Sequence, residues 1–167
     1  MAITFNADEI FEIAEQIERN GQKFYSKSSE RVQNKQAKAV LKNLADMETK
    51  HLETFQRLHA KIDAKTREEL TWDPDGQAVA YLRAAADSHI FKTDTDPTSL
   101  LSDNSDPKEI LELALQFEKD SVVYFLGVSD MVPERLGKAE VLRLAKQEQG
   151  HIAIIQRTLS TLNELKR

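Results

Sequence analysis

Two short runs, Glu48-Thr49-Lys50-His51 and Glu148-Gln149-Gly150-His151, set a carboxylate three residues before an imidazole, one hundred residues apart. Each has a second carboxylate thirty residues upstream, Glu18 before Glu48 and Glu118 before Glu148. The chain therefore carries the pattern Glu-x29-Glu-x2-His twice. On a helix, residues i and i+3 share a face, about 60° apart around the axis and about 4.5 Å along it. Glu48 with His51, and Glu148 with His151, can thus reach one metal ion or two adjacent ones. With Glu18 and Glu118 at the same level, four carboxylates and two imidazoles would surround the site, and four negative charges would balance two divalent cations.

A lone Glu-x-x-His is a weak motif in a chain rich in glutamate. Two of them at matching positions of apolar helical stripes are a stronger signal. The other histidines are an internal control: Gln56 precedes His59 by three residues, and Ala86 precedes His89. Four carboxylates facing a core without cations would each cost several kcal/mol or be forced to protonate. Nitrogen and oxygen donors without thiolate suit iron or manganese, with zinc or cobalt as substitutes on the same ligands.

The elements that must position these residues are legible as helices. The first helix begins at Asn6, where Glu9 completes a capping box and Phe5 and Ile10 form a staple, and it runs to about Glu30. Its stripe is Ile10, Ile13, Ala14, Ile17, Gly21, Phe24 and Tyr25, with Glu18 on it. A short turn leads to a second helix from about Gln33 to about Asp63, with Val40, Leu41, Leu44, Ala45, Leu52, Phe55 and Leu58 inward beside Glu48 and His51. So short a turn makes an antiparallel hairpin. Residues 64–105 break the pattern. Trp72 to Gly76 reads as a turn, with Trp72 packing the connection, then comes a short helix from Gln77 to about Ser88, then a loop from Thr93 to Ser105. A connection of this length suits a crossover along the bundle. A third helix starts at the Asp106 cap with Pro107 in its first turn, and carries Ile110, Leu113, Ala114, Phe117, Glu118, Ser121 and Tyr124. After the break at Met131 to Pro133, a fourth helix carries Val141, Leu144, Ala145, Ile152, Ile155 and Leu159 beside Glu148 and His151.

A shift of one hundred residues superposes the halves: Glu9, Ile10, Glu12, Ala14, Leu44 and Ala45 recur identically, and Ile17, Phe24, Tyr25 and Phe55 meet Phe117, Tyr124, Phe125 and Ile155. This is an internal repeat. The expected fold is all-α, an antiparallel four-helix bundle built from two repeated hairpins and filling residues 1–167 as one domain. Its 40% hydrophobic and 31% charged residues, with five glycines and four prolines, fit long amphipathic helices.

A net charge of −5 offers no general attraction for nucleic acid or an acidic membrane. With no cysteine, disulfides, thiolate-ligated zinc, iron–sulfur clusters and a rubredoxin-type iron are excluded within these residues. No signal-peptide pattern opens the chain, so a soluble cytoplasmic protein is the expectation.

The ligand pattern, with Ile17-Glu18-x-x-Gly21-x-x-Phe24-Tyr25 on the first helix, resembles the ferritin-like diiron carboxylate superfamily, and within it the rubrerythrin-like proteins. The resemblance implies Glu18 and Glu118 as outer carboxylates, Glu48 and Glu148 bridging two irons, and His51 and His151 completing one iron each. It departs from that family in lacking a cysteine-bound rubredoxin domain, and in having Ser121 where the family carries an extra glutamate. Tyr25 and Tyr124 are candidates for donors behind the ligands or, as stripe residues, for core; Glu15, Asp46 and Glu53 flank the ligands as solvated or supporting groups. Val122, Val123 and Leu126 suggest a further buried face on the third helix, or packing beneath the crossover.

The leading functional expectation is a non-haem diiron oxidoreductase that reduces hydrogen peroxide, or oxidises ferrous iron with oxygen or peroxide, using an external electron-donor protein. Alternatives are a dimanganese catalase-like enzyme, iron storage or sequestration, and a non-catalytic helical interaction module. A homodimer is compatible with the sequence; nucleic-acid and membrane partners are not expected.

Overall fold

The computed structural model describes residues 6–70, 72–92, 94–102 and 105–164, and every regular element among them is helical. Four long helices, α1 (Ala7–Arg31), α2 (Lys35–His59), α5 (Pro107–Met131) and α6 (Lys138–Glu164), form a ferritin-like bundle. Two short helices, α3 (Ala64–Leu70) and α4 (Gln77–Ser88), and a 3-10 turn at Pro97–Leu100 lie between α2 and α5.

Local signals set the helix ends. The Asn6 side chain accepts from the Glu9 N–H at 2.9 Å, and Glu9 returns a carboxylate to the Asn6 N–H at 3.3 Å, forming the expected capping box. Phe5, the other half of the expected staple, lies outside the described residues. Asn34 caps α2 by accepting from the Ala37 N–H at 2.9 Å, so α1 and α2 are joined by three residues centred on Gln33. Glu18 and Glu48 are equidistant from that centre, which brings them to one level of the antiparallel pair. Asp106 and Glu109 form a second capping box with Pro107 in the first turn of α5, and the break at Val132-Pro133 returns the chain into α6. The stripes meet in one core, in which Phe55 lies on Phe125 with ring centroids 4.8 Å apart.

The second helix ends four residues earlier than the sequence suggested, at His59. Asp63 is the reason: its carboxylate accepts from the Thr66 N–H at 2.8 Å and the Thr66 hydroxyl at 2.7 Å, which starts α3 instead of continuing α2. The crossover then covers the α1/α5 side of the bundle. Leu82, Ala85, His89, Phe91 and Leu101 are buried under it, and the segment is tied to α1 where Asn20 donates to the Lys92 carbonyl and Arg31 to the Leu101 carbonyl. Trp72 does not pack the crossover as expected; it is 76% exposed, because its turn projects outward before α4 begins. Of the suspected extra face on α5, Val122 is half-buried, while Val123 and Leu126 are 43% and 38% exposed.

The α4/α5 contact depends on Gly127, where an added Cβ would lie 2.5 Å from the Tyr81 ring and 2.8 Å from Leu82. Gly150 sits in the second Glu-x-x-His run with open space around it. Gly127→Ala is expected to destabilise the protein by about 1–3 kcal/mol through overpacking, whereas Gly150→Ala should stabilise it by about 0.5–1 kcal/mol through helix propensity. Thermal or denaturant unfolding of the two variants beside the parent checks both signs.

Candidate metal centre

The six residues singled out in the sequence converge at mid-bundle. Glu18, Glu48, Glu118 and Glu148 are each 0% exposed, His51 3% and His151 1%. Their ligand atoms fall into two groups, each within 4.8 Å: Glu18, Glu48, His51 and Glu148, and Glu48, Glu118, Glu148 and His151. Glu48 and Glu148 belong to both groups, while each remaining carboxylate and imidazole belongs to one. His51 Nδ1 lies 2.7 Å from Glu148 and 3.8 Å from both Glu18 and Glu48. His151 Nδ1 mirrors it, 2.8 Å from Glu148, 3.3 Å from Glu118 and 3.4 Å from Glu48. The two rings lie nearly parallel, with centroids 5.5 Å apart.

These contacts lie at ion-pair distance, but their angles do not meet hydrogen-bond geometry. Of the eleven buried side-chain nitrogen and oxygen atoms without a hydrogen-bond partner among the described residues, ten belong to these six side chains. Buried polar groups are ordinarily satisfied. A concentration of unsatisfied acceptors aimed at two shared points is what a pair of cations would resolve, and carboxylate with imidazole is a fitting donor set for iron or manganese.

The surrounding packing is specific. An added Cβ at Gly21 would lie 2.6 Å from Phe117 Cζ and 3.2 Å from Glu48 Cγ, so this glycine lets a ring of α5 close against the carboxylates. Tyr25 donates to Glu118 Oε1 at 2.5 Å. Burial, then the Glu118 and Glu48 charges, push its phenol well above the usual range, so it stays protonated and keeps donating. Tyr124, the other candidate donor, instead reaches the Ile10 carbonyl at 3.0 Å and is a core residue. Among the flanking acids, Asp46 and Glu53 are exposed. Glu15 pairs with His59 at 2.8 Å and with Arg19 at 2.9 Å, outside both ligand groups.

His89 carries more than its sequence context indicated. It is 2% exposed, its Nδ1 accepts from the Phe91 N–H at 3.2 Å, and its Nε2 lies 3.3 Å from Ser121 Oγ. With Nδ1 accepting, the ring proton sits on Nε2 and is donated to Ser121, whose hydroxyl donates on to the Phe117 carbonyl at 2.8 Å. Burial lowers the His89 pKa to about 4, leaving it neutral. The crossover thereby holds Ser121, one turn beyond Glu118. The only hint in the sequence was the position of His89 directly before the apolar pair Ile90-Phe91.

Without a cation among them, the carboxylates cannot all remain ionised. Burial, then repulsion from Glu48, pushes Glu18 well above the ordinary carboxylate range, and burial, then Glu148 and Glu48, does the same to Glu118. Burial also opposes ionisation of Glu148, but His151 and His51 outweigh it and hold that group low. For the imidazoles, burial disfavours the cation, yet the facing carboxylates push His151 up to about 12 and also raise His51.

Comparison with known proteins agrees with this arrangement. The bundle and its buried glutamate–histidine cluster define the class, a ferritin-like helical protein with a candidate dinuclear metal centre. The rubrerythrin family pattern matches residues 3–92, more than half of the chain, and the chain belongs to the rubrerythrin family. That match spans the first hairpin with Glu18, Glu48 and His51; the second hairpin is its internal repeat. No curated protein and no solved structure matches the chain. No helix among the described residues is long and apolar enough to cross a membrane.

In metal-free protein, Glu18, Glu118, His51 and His151 hold protons that the unfolded chain releases at lower pH. Raised folded-state pKa values stabilise the fold below the unfolded value and lose that effect as pH rises through the folded one. The depressed Glu148 acts oppositely, but its contribution is complete once pH passes the ordinary carboxylate value of 4.5. Chelator-treated protein is therefore expected to lose thermal stability from pH 5 to 9, while metal-loaded protein, whose ligands are already deprotonated, should not show that loss. Melting curves of both forms across that window check the sign; a metal-free Tm that climbs with pH would contradict it.

Proposed function

We propose that the six residues bind two iron ions and that the protein is a non-haem diiron oxidoreductase reducing hydrogen peroxide with electrons from an external donor protein. The observation that carries this reading is the cluster of six buried side chains, with ten nitrogen and oxygen atoms lacking a hydrogen-bond partner, in a bundle of the rubrerythrin family. Glu18 and His51 would hold one iron, Glu118 and His151 the other, and Glu48 and Glu148 would bridge them. When bound, a pair of irons cycling between ferrous and ferric states supplies the two electrons that convert one peroxide and two protons into two waters.

The protein's own groups prepare the site for that reaction. The apolar wall of Phe117, Phe24 and Phe91 excludes water from the α1/α5 side. Tyr25 fixes one carboxylate oxygen of Glu118 and keeps a phenolic proton beside the centre. Supporting hydrogen bonds of this kind orient ligands and tune their basicity. These 167 residues contain no cysteine to hold a relay iron, and so an outside donor is part of the reading.

Anaerobic loading with ferrous iron, followed by separate titration with peroxide and with oxygen, tests the proposal. About two irons per chain and faster oxidation by peroxide are expected. Preference for oxygen would favour ferrous oxidation at the same centre, and uptake of many irons per chain would favour storage. Tyr25→Phe should retain the fold but weaken binding at the Glu118 position about tenfold, read as biphasic release of iron to a competing chelator. Uniform release in both proteins would remove Tyr25 from that role.

A further inference from the structure

The two sides of the bundle treat the centre differently. The α1/α5 side is covered by the crossover, whereas the α2/α6 side carries a cleft of about 330 Å³ lined by Asn43, Met47, Lys50, Thr54, Arg143 and Gln147, with His51 also in its wall. His51 is 97% buried, and its Nδ1 belongs to the ligand cluster and has no hydrogen-bond partner. Nδ1 of His51 and both ring nitrogens of His151 are enclosed, and of the six residues His51 is the one that lines this cleft. The cleft thus runs from solvent to the outer side of one candidate ligand, His51.

Its charge is opposite to that of the whole chain. A protein of net charge −5 presents two cations and no carboxylate along this lining. Lys50 is exposed and has no ion-pair partner among the described residues, and Arg143 is 62% exposed with only a 3.9 Å approach to Glu140. Glu140 is itself engaged by Arg57. A cationic rim on a cleft raises the local concentration of anions and lowers that of cations, most strongly at low salt.

We infer that the α2/α6 cleft is the solvent port of the metal centre, and that Lys50 and Arg143 make it selective for small neutral or anionic oxidants over aqueous divalent cations. This rests on the reading of the six residues as a metal site. A neutral peroxide meets no barrier from these charges, and a hydroperoxide anion is drawn inward. An aqueous ferrous ion is opposed, which sets a port for oxidant apart from a port for iron uptake.

The test is stopped-flow uptake of Co²⁺ by chelator-treated protein, followed by the visible absorption of bound cobalt. Lys50→Glu with Arg143→Glu is expected to accelerate uptake at least about threefold near 10 mM ionic strength, and the difference should fade at about 0.5 M. Lys50→Gln with Arg143→Gln should lie between, and keeps the test valid if the reversed pair folds poorly. Met47→Trp, which fills the cleft without changing charge, should slow uptake. In ferric-loaded protein, azide should bind several-fold more weakly to the charge-reversed variant. Equal cobalt rates in all variants, or an acceleration that survives high salt, would overturn the port while leaving the metal site intact. Absence of cobalt binding in every form would overturn the metal-site reading as well.

Discussion

Everything in this molecule is arranged around four carboxylates held out of water. Burial and mutual repulsion push Glu18 and Glu118 well above the ordinary carboxylate range, which shows how strongly the core resists their ionised form. A helix bundle can impose such a burial because its side chains are fixed by periodicity on rigid elements. Two hairpins with equal arms bring Glu18 level with Glu48 and Glu118 level with Glu148, and the apolar stripes around them supply the packing that keeps the cluster closed. If cations occupy the centre, as proposed, they would offset the cost of this burial, and the site and the fold would be linked through the same protons.

The repeat makes two half-sites, and the departures from symmetry make them unequal. Tyr25 braces Glu118, while its counterpart Phe125 packs in the core against Phe55. Gly21 admits the Phe117 ring, while its counterpart Ser121 is held by His89 from the crossover. Lys50 stands at the mouth of the cleft, while its counterpart is Gly150. The symmetric set of six candidate ligands thus sits in an asymmetric surround, with different hydrogen-bond support for its two halves.

Much of this was legible in the sequence, for identifiable reasons. The all-helical bundle followed from stripes at spacings of three and four. The six clustered residues followed from two matching copies of one pattern, because a repeat turns a weak motif into a correlated one. What escaped depended on local competition or on distant partners. Asp63 ends one helix by starting another, and the polar run around it offered no change of period to mark the boundary. Trp72 was expected to pack the connection, yet it stands 76% exposed. His89 has no Glu three residues before it, and its partner Ser121 is brought near only when the crossover lies down on α5. Tyr25 and Tyr124 occupy similar stripe positions, and only the three-dimensional arrangement shows which phenol reaches a ligand.

The most direct test of the central claim is to locate the metals. Crystals of iron-loaded protein, with diffraction data recorded on both sides of the iron absorption edge, should show two anomalous peaks inside the bundle. One peak should lie beside Glu18 and His51, the other beside Glu118 and His151, with Glu48 and Glu148 between them. A single peak, or iron bound only at surface carboxylates with the six side chains unligated, would contradict the account.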